Sequence, residues 1–320
     1  MASLATRKTA ARELHSSLLP LSRLTLPALL LIVASPVSAQ DMEPKAYSAS
    51  PVGTTFVVVA ASRNTGSVVF DPTLPIKDVE ARIGGVGFGV GTTFGLFGKL
   101  ALVSAVLPVA WGEMTGVVGE DARQINRKGL ADSRFKLSMN LRGNDAMRLR
   151  EFIKAPSRTI VGASLTVIAP TGQYDDSKLI NLGAHRWGFK PEAGVSVPIG
   201  PWDVDAYAGV WLFTPNGDFY PGGLRRTQDP VVAIQGHVSY TFKPRLWLAA
   251  DGTWYSGGST QVEGGAPAGA VSNSRLGTTL SLPVGQRQSF KISYSTGVVV
   301  RTGTDFHTLA VGWQWLFFRP

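Results

Sequence analysis

The chain has no cysteine, only four histidines and 17 % charged residues over 320 positions. Without a thiol it can build no disulfide framework, no thiolate metal site and no cysteine nucleophile. Long apolar runs are missing as well. Beyond the first 39 residues the most apolar stretch is LALVSAVLPVAW (100–111), which is short and interrupted by Pro108. A membrane helix needs about 20 apolar residues, so helical spans are excluded and any membrane form must be a closed barrel. No basic–aromatic cluster appears, which leaves nucleic acid out as a partner. No cofactor is implied and no histidine or carboxylate group has metal-ligand spacing. Gly84-Gly85, Gly87, Gly89 and Gly91 lie in a strand pattern rather than at a strand–turn–helix junction. They are read as relieving crowding in a sheet, not as a phosphate loop.

What the chain does have begins with a leader. Arg7, Lys8, Arg12 and Arg23 precede the eleven-residue apolar run LTLPALLLIVA (24–34), and Val37-Ser38-Ala39 supplies small residues before Gln40. This is the pattern of a secretory signal peptide cleaved near Ala39. Those 39 residues carry four basic and one acidic side chain, so the net charge falls from +9 to +6 on removal. Residues 40–53 are then expected as a short periplasmic segment, and 54–320 as one all-β domain.

From 54 onward the chain alternates with period two, the spacing at which successive side chains of a strand face opposite sides. Twelve strands are predicted near 54–62, 79–94, 99–111, 131–141, 159–170, 186–197, 202–213, 229–242, 246–256, 273–283, 289–301 and 306–317. Their connections alternate in length. GLFG (95–98), PIGP (198–201), KPR (243–245) and VGQRQ (284–288) are tight. The segments 63–78, 112–130, 171–185, 214–228 and 257–272 are long and polar or glycine-rich. Short turns at one end and long loops at the other is the arrangement of outer-membrane barrels. The seventeen residues 142–158 break the rule, and MRLREFIK (147–154) is expected to form a brief helix there. All eight tryptophans are placed near strand ends, at Trp111, Trp187, Trp211 and Trp254 on the long-loop side and Trp202, Trp247, Trp313 and Trp315 on the other. Indole favours the water–lipid boundary, so two girdles are expected. On the last strand Leu309, Val311, Trp313, Trp315 and Phe317 share a face, which is assigned to lipid. The fold class is therefore a transmembrane antiparallel up-and-down β-barrel of about twelve strands in the cell outer membrane.

Several stretches resemble a known family. LTVIAPTGQYDDSKLINLGAHRWGFKPEAGVS (165–196), YAGVWLFTPNGDFYPGG (207–223), QDPVVAIQGHVSY (228–240) and SNSRLGTTLSLPVG (272–285) are similar to the bacterial outer-membrane family labelled for the MetA pathway of phenol degradation. The resemblance implies a Gram-negative outer-membrane barrel that moves small, often aromatic, compounds. The chain departs from the usual aromatic ending, since Arg319-Pro320 follow Phe318.

The alternation sends a mixed set of charges and aromatics into the lumen. The solute-path candidates are Lys190, Glu192, Asp205, Tyr207, Trp211, His237, Asp251, Tyr255, Arg275, Lys291 and Arg301, with Arg134, Lys136 and Asp203 on the same face. A pore lined by both signs would tune passage of polar or weakly anionic solutes. Ion pairing among these groups would instead plug a narrow bore. The expected function is a porin-like channel passing small, phenol-type solutes by diffusion. The alternative is a structural or adhesive barrel working through its loops. Catalysis is not expected: acyl hydrolysis needs a Ser–His pair at the lipid wall, and only His307 of the three mature histidines sits there, with Ser293 and Ser295 of the preceding strand facing inward. The partners expected are outer-membrane lipid and lipopolysaccharide, the barrel-assembly machinery and a small-molecule solute.

Overall fold

A computed structural model describes residues 42–69, 76–118, 121–301 and 303–318. The expected signal peptide and the trailing Arg319-Pro320 lie outside them. The strands are β1 (Thr54–Val69), β2 (Ile76–Leu96), β3 (Lys99–Val118), β4 (Asp121–Leu130), β5 (Ser133–Arg142), β6 (Ile160–Ala169), β7 (Gly188–Ile199) and β8 (Trp202–Phe213). There follow β9 (Asn216–Phe219), β10 (Leu224–Gln228), β11 (Val231–Lys243), β12 (Leu246–Gly257), β13 (Thr260–Val262), β14 (Val271–Val284), β15 (Gln288–Val299) and β16 (Gly303–Phe318). The brief helix α1 (Leu149–Phe152) sits inside the expected MRLREFIK stretch.

Each wall strand pairs antiparallel with the next, and β1 pairs with β16 from Thr54 opposite Phe318 to Val69 opposite Gly303. Closure pairs every strand through the lipid zone, which is the condition for crossing lipid with strands; beyond it β4 pairs only with β3. β4 and β5 are one wall strand in two pieces: β4 pairs with the outer part of β3 and β5 with the inner part, with a break at Ala131-Asp132. The wall therefore counts twelve. The small sheet β9–β10–β13 lies over the long-loop end.

Two expected loops are strands instead. Most of 63–78 and 112–130 extends β1, β2, β3 and β4 beyond the lipid-facing zone. Above the bilayer both faces of a ribbon meet water, so the apolar alternation that betrays a strand fades while the ladder continues. Within the glycine run, Gly84 packs under an indole: a Cβ there would fall 2.6 Å from Trp111 Cε2.

The tryptophans divide. Trp111, Trp187, Trp202, Trp254 and Trp315 point outward and are exposed. Trp211 and Trp247 point inward and are fully buried, so they belong to no girdle, and Trp111 lies mid-strand because β3 runs on to Val118. An inward indole meets cations here: Lys190 Nζ lies 5.4 Å from the Trp211 ring, and Lys45 and Lys291 lie 5.8 and 5.4 Å from the Trp247 ring.

Residues 40–53 are expected as a short periplasmic segment; the described part, 42–53, turns into the barrel from the short-turn end. Glu43, Lys45, Ala46, Tyr47 and Ser50 are buried against lumen side chains. The cause is complementarity. The inner wall is lined with charged and hydroxyl groups that need partners once out of water, and the alternating Glu43, Lys45 and Tyr47 supply them.

Candidate functional site

The lumen is stacked in zones along the barrel axis. At the short-turn end Phe56, Val58, Ala60, Leu102 and Leu316 form an apolar cluster. Beside it the N-terminal segment docks. Backbone Gly53 N–H donates to Thr93 O at 2.9 Å and Val52 N–H to Met147 O at 2.9 Å. Tyr47 crosses the bore: its hydroxyl lies 3.1 Å from Ser164 Oγ and 3.3 Å from Glu192 Oε1, its carbonyl accepts from Asn140 Nδ2 at 3.1 Å, and its ring meets Tyr207 edge-on at 5.2 Å. The ring fits only because Gly162 and Gly194 lie beneath it, where added Cβ atoms would fall 2.2 and 2.7 Å from ring carbons.

The next zone is ionic. Glu43 pairs with Lys136, and its backbone N–H donates to Gln235 Oε1 at 3.3 Å. Lys45 pairs with Asp203, while its backbone N–H donates to Asp205 Oδ2 at 3.1 Å. Ala46 N–H donates to the Tyr207 hydroxyl at 3.0 Å. Lys190 and Glu192, two apart on β7, pair with each other at 3.0 Å, and Gln235 Nε2 donates to Glu192 Oε2 at 3.1 Å. His237 Nδ1 lies 2.7 Å from Asp251 Oδ1, and Thr279 Oγ1 donates to Asp251 Oδ2 at 2.7 Å. Lys291 is buried at the same level over Trp247.

Beyond the ionic zone Trp211, Val231, Ala233 and Tyr255 form a buried cluster, with Ile168, Phe213 and Val271 packed on it. Val231 and Tyr255 of this cluster, with Ile168, Phe213 and Val271, line a cavity of about 510 Å³ that opens toward the long loops. Its lining combines apolar groups such as Ile168, Phe213 and Val231 with Arg134, Arg186 and Arg226.

The eleven solute-path candidates thus fall in different places. Seven of them, Lys190, Glu192, Asp205, Tyr207, His237, Asp251 and Lys291, belong to the ionic zone, several of them under the N-terminal segment. Tyr255 lines the cavity, and Trp211 is buried behind it. Arg275 is held by the wall, its Nη2 donating to Phe306 O at 2.8 Å and Ser295 Oγ at 3.0 Å. Arg301 is a correction. It is exposed beyond the end of β15, with its backbone N–H on Asn273 Oδ1 at 2.9 Å. A bulge opposite Ser274/Arg275 inserts one residue between Gly297 and Val299, and one extra residue reverses the face of everything after it.

Sequence reasoning missed Glu43, Lys45 and Tyr47 as lumen groups, and Arg186 and Arg226 as cavity groups. The first three carried a signal, a period-two polar and aromatic triplet directly after the expected cleavage site. The two arginines lie at loop edges, where no periodicity orients them.

No histidine among the described residues is hydrogen-bonded to a serine. His185 Nε2 lies 3.2 Å from Asp218, His237 Nδ1 is on Asp251, and His307 Nδ1 is 2.8 Å from the Tyr294 hydroxyl on the outer face.

Residues 64–313 match the family model described as "Putative MetA-pathway of phenol degradation". The chain belongs to this family. Among solved structures it is similar to an outer-membrane channel of Pseudomonas putida F1, at 20 % identity and TM-score 0.72, covering 87 % of this chain and 100 % of that one. It is also similar to the β domain of the Bordetella autotransporter BrkA, at 11 % identity and TM-score 0.51, covering 83 % and 100 %. These likenesses establish an outer-membrane barrel fold. Among curated proteins none matches the chain significantly.

Proposed function

We propose that this protein is an outer-membrane channel that admits small amphipathic or aromatic solutes by diffusion from its long-loop end. The observation that carries the reading is the loop-side cavity of about 510 Å³. It falls within the range of about 300–1,000 Å³ typical of small-molecule sites, and its mostly apolar wall with a few convergent polar groups is the usual make-up of one. Family membership and the likeness to a channel from P. putida support the same reading. An aromatic ring entering here meets Phe213 and Tyr255 before the ionic zone. Passage onward requires the 43–50 segment to shift, because Tyr47 and Glu43 span the bore.

That same occlusion favours a second reading, a closed barrel acting through its loops. One experiment separates them. Mature protein in liposomes is tested for uptake of 4-nitrophenyl β-glucoside, a neutral aromatic probe that does not cross bilayers unaided. The channel reading expects uptake above protein-free vesicles, rising further when residues 42–52 are deleted. Uptake equal to protein-free vesicles in both forms refutes it and leaves the closed barrel.

A further inference from the structure

Arg186 and Arg226, both half-buried, differ from the paired lysines of this lumen. Lys45, Lys136 and Lys190 each have a carboxylate partner in an ion pair. Neither Arg186 nor Arg226 forms an ion pair with any described residue. Arg186 stacks its guanidinium 4.4 Å over the Phe213 ring and donates from Nη2 to Gln228, while its Nη1 is buried with no acceptor among the described residues. Arg226 stacks 5.0 Å over the Phe219 ring. Burial, then the charge of Arg226, pushes the Arg186 guanidinium down to about 10, with the Asp132 carboxylate opposing. Even so it stays cationic at neutral pH.

Both line the loop-side cavity. Asp132 is the one carboxylate among its described lining residues, against three guanidiniums, and it is already engaged by the backbone N–H groups of Gly172 at 2.9 Å and Ala184 at 2.8 Å. Two stacked, half-buried cations, one with a spare buried donor in Arg186 Nη1, gain when an anion joins them beside the apolar wall. Planar guanidiniums match carboxylate or sulfonate oxygens, and stacking fixes their orientation beforehand.

We propose that Arg186 and Arg226 form an anion subsite, which takes the carboxylate, sulfonate or phenolate of a solute whose apolar or aromatic body rests on Phe213, Ile168 and Val231. This rests on the channel reading for its role in transport, but binding can be read without transport. The cavity lies inside the barrel, so a free solute and not a lipid headgroup is the ligand.

The test uses a matched pair, 4-nitrophenyl β-glucuronide and 4-nitrophenyl β-glucoside, which differ essentially by one carboxylate. The nitrophenyl group quenches tryptophan fluorescence, and Trp211, packed on the lining residues Val231 and Tyr255, contributes to the signal that reports occupancy of refolded full-length mature protein. A hydrogen-bonded charge pair corresponds to at least about a tenfold preference for the glucuronide. Arg186→Gln/Arg226→Gln should abolish that preference, read as the ratio of the two affinities within each variant, and Arg186→Lys/Arg226→Lys should retain part of it. Heat-modifiable migration verifies folding of each variant. If the double Gln variant does not fold, Arg226→Gln alone carries the test, since that side chain makes no hydrogen bond with a described residue. No preference in the wild type, or an undiminished one in folded Gln variants, overturns the subsite. Preferential quenching with no liposome uptake of either probe, by the intact protein or by the form lacking residues 42–52, would leave the subsite standing and sink the channel reading instead.

Discussion

A charge placed at the middle of the outer wall should be costly, and strand β7 allows the cost to be worked out. Trp187 and Ile199 are both exposed on the outward face, at the two ends of the strand. Ala193 lies midway, six residues from each, with Ala163 and Ala208 as its cross-strand neighbours. At about 3.4 Å per residue and a tilt near 40°, six residues amount to about 15 Å of depth. Ala193 therefore sits near the midplane of an apolar band about 25 Å tall, and Ile199 just at its edge. Ala193→Arg removes almost no apolar surface, and neither alanine neighbour offers it a hydrogen bond or a countercharge. Its cost should be that of the charge alone, about 2–4 kcal/mol, against about 0–1 kcal/mol for Ile199→Arg. Denaturant titration of both variants refolded into vesicles, followed by tryptophan fluorescence, measures the difference. Ala193→Gln should fall between wild type and Ala193→Arg. Equal costs at 193 and 199 would mean that the apolar face does not contact lipid or that the membrane zone is misplaced along β7.

Three other outcomes follow from the lumen. Gly162→Val should push Tyr47 off its seat and raise single-channel conductance without loss of heat-modifiable migration; unchanged conductance would mean that the segment does not control the bore. Glu43→Gln removes the carboxylate paired with Lys136 and should cost about 1–3 kcal/mol, the worth of a hydrogen bond to a charged group. The N-terminal segment can leave at lower cost than the wall can unfold, so protease should cut within 42–53 more readily, with the barrel fragment staying resistant. Asp251→Ala removes the acceptor shared by His237 and Thr279 and should cost about 1–3 kcal/mol in denaturant titration; a neutral result would show that water replaces it.

The sequence by itself determined the class, the number of wall strands and which face of each strand turns outward, since a two-residue period and alternating loop lengths are local properties. It also named most of the inward charges, because inside the bilayer zone one face must be apolar and the other receives whatever is polar. Three things were decided only by the tertiary structure. The bulge at Gly297–Val299 turned Arg301 out of the lumen, and a single inserted residue leaves no mark on composition. Where β1 to β4 leave the lipid zone both faces are polar, so their continuation could not be told from loop. The docking of 43–50 and the meeting of Arg186 with Arg226 depend on partners 90 to 190 residues away for the one and 40 for the other. Those partners become neighbours only when the barrel closes, and closure is a property of the whole sheet, which no window along the chain contains.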